Sequence, residues 1–201
     1  MQPVSNNPDD GGRAPEATPD EPDDPTAPSV GVGPHAEPWP DDARLDPDLL
    51  REGDRRNVVD AYRYWRLDAI VAELGARRNP LHVAIQNWEH DFNIGSIVRT
   101  ANAFNVEAVH ILGRRRWNRR GAMVTDRYLS VQHHADVPSF LAELHRLGVT
   151  PIGVDNLPGS RHLETLALPR RVCLLFGQEG PGLSEDAREA CEATFSIAQF
   201  G

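Results

Sequence analysis

The sequence predicts an α/β domain in which a parallel sheet is flanked by helices, and three observations carry that expectation. Short apolar runs, LHVAI at 81–85, VEAVHIL at 106–112 and VCLLF at 172–176, read as strands buried on both faces of a sheet. Between the first two lies a stretch of helical period. The first and third runs each lead into a polar or Gly-rich loop, and two such loops at the ends of two buried strands mark one binding crevice.

Residues 1–50 are expected to form an acidic, Pro-rich disordered tail. Positions 1–54 hold 14 acidic residues against Arg13, Arg44 and Arg51, a net charge of −11, and residues 1–40 have almost no large apolar side chains. From residue 55 onward 18 arginines meet 16 acids, so the overall −9 misdescribes the folded part. With neither a basic start nor an apolar centre, the N-terminus is not a secretory signal. No run of about 18 apolar residues could span a membrane. Cys173 and Cys191 form no CxxC pair, so free thiols in a cytoplasmic protein are expected. All 21 basic residues are arginine, whose planar fork suits phosphate and carboxylate.

Residues 51–79 read as an accessory helical segment. Val58, Tyr62, Trp65 and Ala69 fall on one stripe, extended by Ile70 and Leu74, with Arg55, Asp60, Arg63, Arg66 and Glu73 opposite. The aromatic residues are expected to pack on the core rather than to stack on bases. Asn79-Pro80 closes the segment and opens the first strand.

The domain proper is expected over 80–201. After the strand at 81–85 and a loop at 88–92, Asn93 is placed as N-cap of a helix with Ile94, Ile97, Val98, Ala101 and Phe104 on its apolar face. Asn105 ends it and the next strand begins at Val106, giving a β-loop-α-β unit of right-handed crossover. Arg99 lies off the stripe, within the first two turns, where it can project back toward the loop. Beyond, GRRRWNRRGAMVTDR at 113–127 gathers Arg114, Arg115, Arg116, Arg119, Arg120 and Arg127 around Trp117. Six guanidinium groups repel one another unless an anion meets them, and an indole among them can stack on a base. Nucleic-acid phosphate is therefore favoured over a solvated basic loop or pairing with the acidic tail.

His133 and His134 are adjacent, so they cannot both face one metal from a strand, and no Cys or carboxylate stands at ligand spacing. No metal site is expected, and the pair reads as surface or RNA-proximal residues. A helix at 138–147, capped near Asp136 and stopped by Gly148, leads to a strand at 149–156 and the loop NLPGS. The strand at 172–176 runs into GQEGPG at 177–182. Its glycines are in the wrong order for a dinucleotide fingerprint, and Glu179 would repel a pyrophosphate. A phosphate-free cofactor with a positive centre tolerates that carboxylate, and S-adenosylmethionine fits the description. A plain Gly/Pro turn is the alternative. Ser184 caps the following helix, with Glu185 and Asp186 in its first turn.

NIGSIVR at 93–99 and FGQEGPGLS at 176–184 resemble motifs 1 and 2 of the SpoU/TrmH family of RNA 2′-O-ribose methyltransferases, in the SPOUT superfamily. The resemblance covers 81–201. It implies a SPOUT-type sheet with a C-terminal trefoil knot, S-adenosylmethionine as methyl donor, tRNA or rRNA as partner, and a homodimer with active sites at the interface. Residue by residue it implies Arg99 as catalytic arginine, Asn93 as its support and Glu179 as the motif 2 glutamate. Val154, Gly177 and Ile197 match the cofactor-binding positions, and the RNA would be met by Arg114, Arg115, Arg116, Trp117, Arg119 and Arg120. Motif 3 is expected to start as a strand in FSIAQFG at 195–201 and to continue into a Ser/Asn-containing loop and a last helix. The sequence stops at Gly201, so a chain cut within motif 3 and an incomplete knot are expected. A guanidinium keeps its charge, so Arg99 would stabilise the developing alkoxide or anchor a phosphate rather than act as a base. A non-catalytic RNA-binding module of the same fold is the competing expectation.

Overall fold

The computed structural model describes residues 31–88, 93–158 and 160–200. Among these residues six strands form one all-parallel sheet: β1 (Asn79–Asn87), β2 (Val106–Gly113), β3 (Val131–His134), β4 (Thr150–Val154), β5 (Val172–Phe176) and β6 (Ala193–Phe195). Their order is β3-β2-β1-β5-β4-β6. The chain steps outward from β1 through β2 to β3 and then crosses to the other half, so the order reverses between β1 and β5. Ligands of open parallel sheets gather outside the carboxyl ends of the strands at such a point.

Among the described residues, five helices cover the sheet and its N-terminal margin: α1 (Pro47–Glu52), α2 (Leu67–Ala76), α3 (Ile94–Ala103), α4 (Val137–Leu147) and α5 (Glu185–Ala190). On one face α3 lays Ile94, Val98 and Ala101 against Ile85, Val109 and Ile111. On the other, Phe140 and Leu144 of α4 and Ala187 of α5 pack on Ala84, Leu112, Cys173 and Leu175. Adjacent strand residues such as Ala84 and Ile85 therefore enter opposite layers, which is why the strand runs are apolar without alternation. The expected stripe of α3 ends early. Phe104 follows the last helical residue and is 70% exposed. The caps of α4 are as expected: the Ser139 N–H donates to Asp136 Oδ1 at 2.8 Å, and Gly148 takes φ +64° at the C-terminal end.

The accessory segment differs from the continuous helix expected over 51–79. Only α1 and α2 are α-helical there; between them the chain wraps around the buried carboxylate of Asp54. That carboxylate accepts the Arg56 N–H (3.0 Å), Arg56 Nε (2.9 Å) and Nη2 (2.8 Å), and the Tyr64 N–H (2.9 Å). A buried carboxylate needs several donors, and backbone N–H groups spent inside a helix could not supply them. Residues 31–50, expected within the tail, are packed: Val32 pairs with Asp54, Leu45 with Trp65, and Leu50 is buried. The remainder of the expected tail, 1–30, and the loop residues 89–92 lie outside the described residues. Asn105, at φ +48°, donates through Nδ2 to the carbonyls of Leu74 and Arg77 and so ties the end of α2 to the sheet.

Two further expectations are corrected. His134 is not a surface residue: it is 8% exposed, at one end of a row that crosses three strands. His82 Nδ1 is hydrogen-bonded to His110 Nε2, and His110 Nδ1 to His134 Nε2, each at 2.9 Å, beneath the ring of Phe140. Strand alternation then turns His133 outward, and it is exposed. The last strand also lies earlier than expected, its register with β4 running from Ile152↔Ala193 to Val154↔Phe195.

Candidate functional site

The loop after β5 is a closed turn. Gln178 and Gly182 exchange two backbone hydrogen bonds (3.1 and 3.0 Å), which leaves Glu179 near the tip, and Gly180 and Gly182 take φ of +94° and +73°. Gly177 is required by space rather than by dihedral angle: a Cβ there would lie 2.0 Å from the Gly182 carbonyl carbon and 2.2 Å from Leu183 N. At the end of β4 the Asp155 carboxylate accepts the Leu183 N–H at 3.0 Å and holds the far arm of the turn. Val154, Gly177 and Ile197, the three expected cofactor positions, line one cavity of about 230 Å3 together with Asp155, Phe176 and Gly182. It is smaller than the roughly 300–1,000 Å3 of most small-molecule sites.

Asn93 and Glu179 are brought together. Asn93 Nδ2 donates to Glu179 Oε2 at 2.9 Å across 86 residues of sequence. Asn93 stands at the N-cap position of α3, but its side chain makes no cap hydrogen bond there. It spans the two loops instead. The end of β1 fastens both loops as well. Gln86, fully buried, donates from Nε2 to Ser184 Oγ (2.7 Å) and accepts the Ser184 N–H (2.9 Å). Asn87 Nδ2 donates to the carbonyls of Arg114 (2.7 Å) and Arg116 (3.1 Å), and the Trp88 N–H donates to Gln178 Oε1 at 3.0 Å.

Arg99 is placed elsewhere, contrary to the expectation that it projects back toward the loop. Arg99 lies six positions after Asn93, and at 3.6 residues per turn the two side chains leave α3 about 120° apart. Arg99 lines a cavity of about 480 Å3 with Val58, Tyr62, Asn102 and Thr125, away from Glu179. The arginine-rich loop packs on the first turn of the same helix. A Cβ on Gly95 would meet Gly121 Cα at 2.8 Å and Ala122 N at 2.9 Å, so the glycine of NIGS lets two backbones touch. Arg114, Arg115, Arg116, Arg119 and Arg120 are exposed, while Trp117 is half-buried on the α3 layer. Arg119 lies 5.5 Å from the Trp117 ring centroid and 3.5 Å from Asp126.

Gln86, Asn87 and Asp155 are site residues that sequence reasoning missed. The signal is present in the sequence, since each is a polar side chain at the carboxyl end of an apolar run. Gly95 stands out there only as part of a motif.

The sequence model of the SpoU rRNA Methylase family matches residues 80–201. Among curated proteins, the chain is 26% identical over 137 residues to the tRNA (guanosine(18)-2'-O)-methyltransferase of Escherichia coli (strain K12), covering 66% of this chain and 60% of that one. It is 30% identical over 130 residues to a 23S rRNA (guanosine-2'-O-)-methyltransferase of Neisseria meningitidis serogroup B, covering 61% and 50%. The chain thus spans 60% or less of the length of these relatives. Among solved structures, the A. aeolicus TrmH/SpoU tRNA modifying enzyme superposes with a TM-score of 0.58 at 20% identity, over 68% of this chain and 71% of that one. The SpoU methyltransferase AviRb from Streptomyces viridochromogenes, in complex with the cofactor AdoMet, gives 0.55 at 23% identity, over 65% and 55%. These likenesses share the fold of the parallel sheet.

Proposed function

The chain belongs to the SpoU rRNA methylase family, and from that premise we propose that it is an RNA methyltransferase. It transfers a methyl group from S-adenosylmethionine to a ribose 2′-hydroxyl of tRNA or rRNA, in the cytoplasm and as a homodimer. The observation that carries this reading is the Asn93–Glu179 hydrogen bond, which joins motifs 1 and 2 beside the cavity of Val154, Gly177 and Ile197. In charge, though not in its small volume, the cavity suits a cationic, phosphate-free cofactor: its lining includes the Asp155 carboxylate and, among the described residues, no arginine. When bound, the cofactor supplies a methyl group on a positively charged sulfur.

Val154, Gly177 and Ile197 would hold the cofactor through backbone groups, and the Asn93–Glu179 hydrogen bond would fix the two loops relative to each other for substrate positioning. Arg99 stays charged and stabilises the alkoxide that develops as the hydroxyl proton leaves to water or a neighbouring phosphate oxygen. Because Arg99 faces away from Glu179 in its own chain, it serves the loop pair of a second copy. Tritiated-methyl incorporation into total RNA tests the activity. Arg99→Ala is expected to lower the single-turnover rate by at least about 100-fold with cofactor affinity unchanged, and mixing it with an inactive Glu179→Ala chain is expected to restore part of the rate. Near-normal turnover by Arg99→Ala would remove its role. Failure of the mixture to recover would leave each site within one chain, and RNA binding with no methyl transfer by the wild type would favour the non-catalytic module.

A further inference from the structure

We propose that the cavity beside the β2–β3 edge is a subsite for one unpaired RNA nucleotide, distinct from the crevice that joins Asn93 and Glu179. The inference rests on reading the arginine-rich loop as an RNA surface, and it assigns part of that loop to a pocket rather than to open backbone contact.

The sequence cluster does not stay a solvated string of charge. Arg115, Arg119 and Arg127, which are up to 12 positions apart, converge on one cavity of about 400 Å3. Asp126 is the carboxylate in its lining, and it pairs with Arg119 at 3.5 Å. Among the described residues Arg115 and Arg127 make no ion pair, so there the mouth holds two guanidinium groups without a carboxylate partner. That charge calls for an anion, and a phosphodiester meets planar forks well.

The interior is unlike a phosphate site. Its floor is Ile111, Leu129 and Val131, and the half-buried indole of Trp117 forms part of the wall. A polar ring stands over that floor. His133, turned by strand alternation to the same face as Ile111 and Val131, donates its Nε2–H to the Gly113 carbonyl at 2.6 Å. An apolar, partly aromatic floor beneath an imidazole and a strongly cationic rim matches a base on its own phosphate. Bases of a duplex are stacked inside the helix and cannot enter, whereas a splayed base of a loop or single strand can. The strained tip nearby favours a built surface: Met123 and Val124 hold φ of +49° and +66° and are both about half exposed. A β-branched residue at positive φ is retained only where the surroundings impose it.

The test measures anisotropy of a fluorescein-labelled single-stranded 12-nucleotide RNA and of the same sequence as a 12-base-pair duplex, with the full 201-residue chain. The wild type is expected to bind the single strand at least tenfold more tightly. The Arg115→Ala/Arg127→Ala double variant, at two exposed positions, is expected to lose at least tenfold for the single strand and under threefold for the duplex. His133→Ala is expected to weaken the single strand alone, while Arg120→Ala, outside the cavity, weakens both equally. Crosslinks from 4-thiouridine in the single strand are expected in the peptide 127–133. Equal losses for both RNAs in the double variant would overturn the subsite and leave the RNA surface standing. No RNA binding by the wild type would overturn both.

Discussion

Gly177 shows how far a single position can be set by its neighbours. Its methyl-free α-carbon lets the two arms of the turn lie against each other, and the nearest obstacles to a side chain are backbone atoms that cannot swing aside. Gly180, three residues on, has φ +94°, yet a side-chain carbon placed there would have nothing within 4 Å of it. The two glycines therefore separate steric from dihedral need. Gly177→Ala is expected to lower stability by about 3 kcal/mol, a fall in Tm of roughly 6–12 °C for a chain of this size. Gly180→Ala is expected to cost only about 1 kcal/mol. Thermal unfolding of the two variants side by side decides it, and equal losses would mean that the close approach at Gly177 is not what the turn depends on. At the residue scale the sequence makes Asn93 and Glu179 partners in a crevice, and their side chains do meet. The helix starts after Asn93 as expected, so the spacing already turns Arg99 about 120° around α3 from Asn93; what the sequence does not show is the cavity that receives Arg99 on that side.

At the scale of elements, what can be read in the sequence follows from burial. β1, β2, β4 and β5 are legible because strands covered on both faces leave unbroken apolar runs, and α4 is legible because its stripe and both caps agree. The segment before β1 is not. Its aromatic residues recur at helical spacing, yet the order there comes from donors gathered around Asp54, a polar organiser that no apolar period reveals. The same limit hides residues 31–50, where a few apolar side chains among many acids suffice once the chain pairs with 53–66. β3 carries four residues and sits at the sheet edge, and its pattern is diluted further by His134 facing inward. Gly95 illustrates the opposite case: visible as part of a motif, it has a reason that only the 118–122 backbone lying against it supplies.

For the whole molecule, two sets of buried polar groups govern how stability depends on pH. Burial pushes His110 down to about 3, with the neighbouring His82 and His134 rings adding to the shift, and burial lowers His82 and His134 as well. In an unfolded chain these rings take up protons near pH 6.5. The stability that depends on their neutral forms is therefore full above that pH and declines as pH falls below it, by about 2 kcal/mol from His110 alone between pH 7.5 and 5. For Asp54 burial pulls upward, but the hydrogen bonds from Arg56 and Tyr64 outweigh it and hold the carboxyl at about 2. Its contribution of about 2 kcal/mol is present above roughly pH 4 and disappears as pH falls toward 2. Urea unfolding at pH 7.5, 5 and 3 is expected to show two separate declines. A midpoint unchanged between pH 7.5 and 5 would mean that the histidine row is not neutral by constraint.

Gln86 and Asn87 are consecutive, yet one grips the start of α5 beyond the Gly loop and the other the carbonyls that begin the arginine loop. A dipeptide at the tip of a central strand thus acts as a yoke: neither loop can shift without loading the other. We expect donor and RNA to bind as linked rather than independent events, and thermodynamic reciprocity requires the factor by which each alters the other's affinity to be the same. Calorimetric titration in both orders would expose that linkage, and affinities indifferent to the order of addition would show the yoke to be slack.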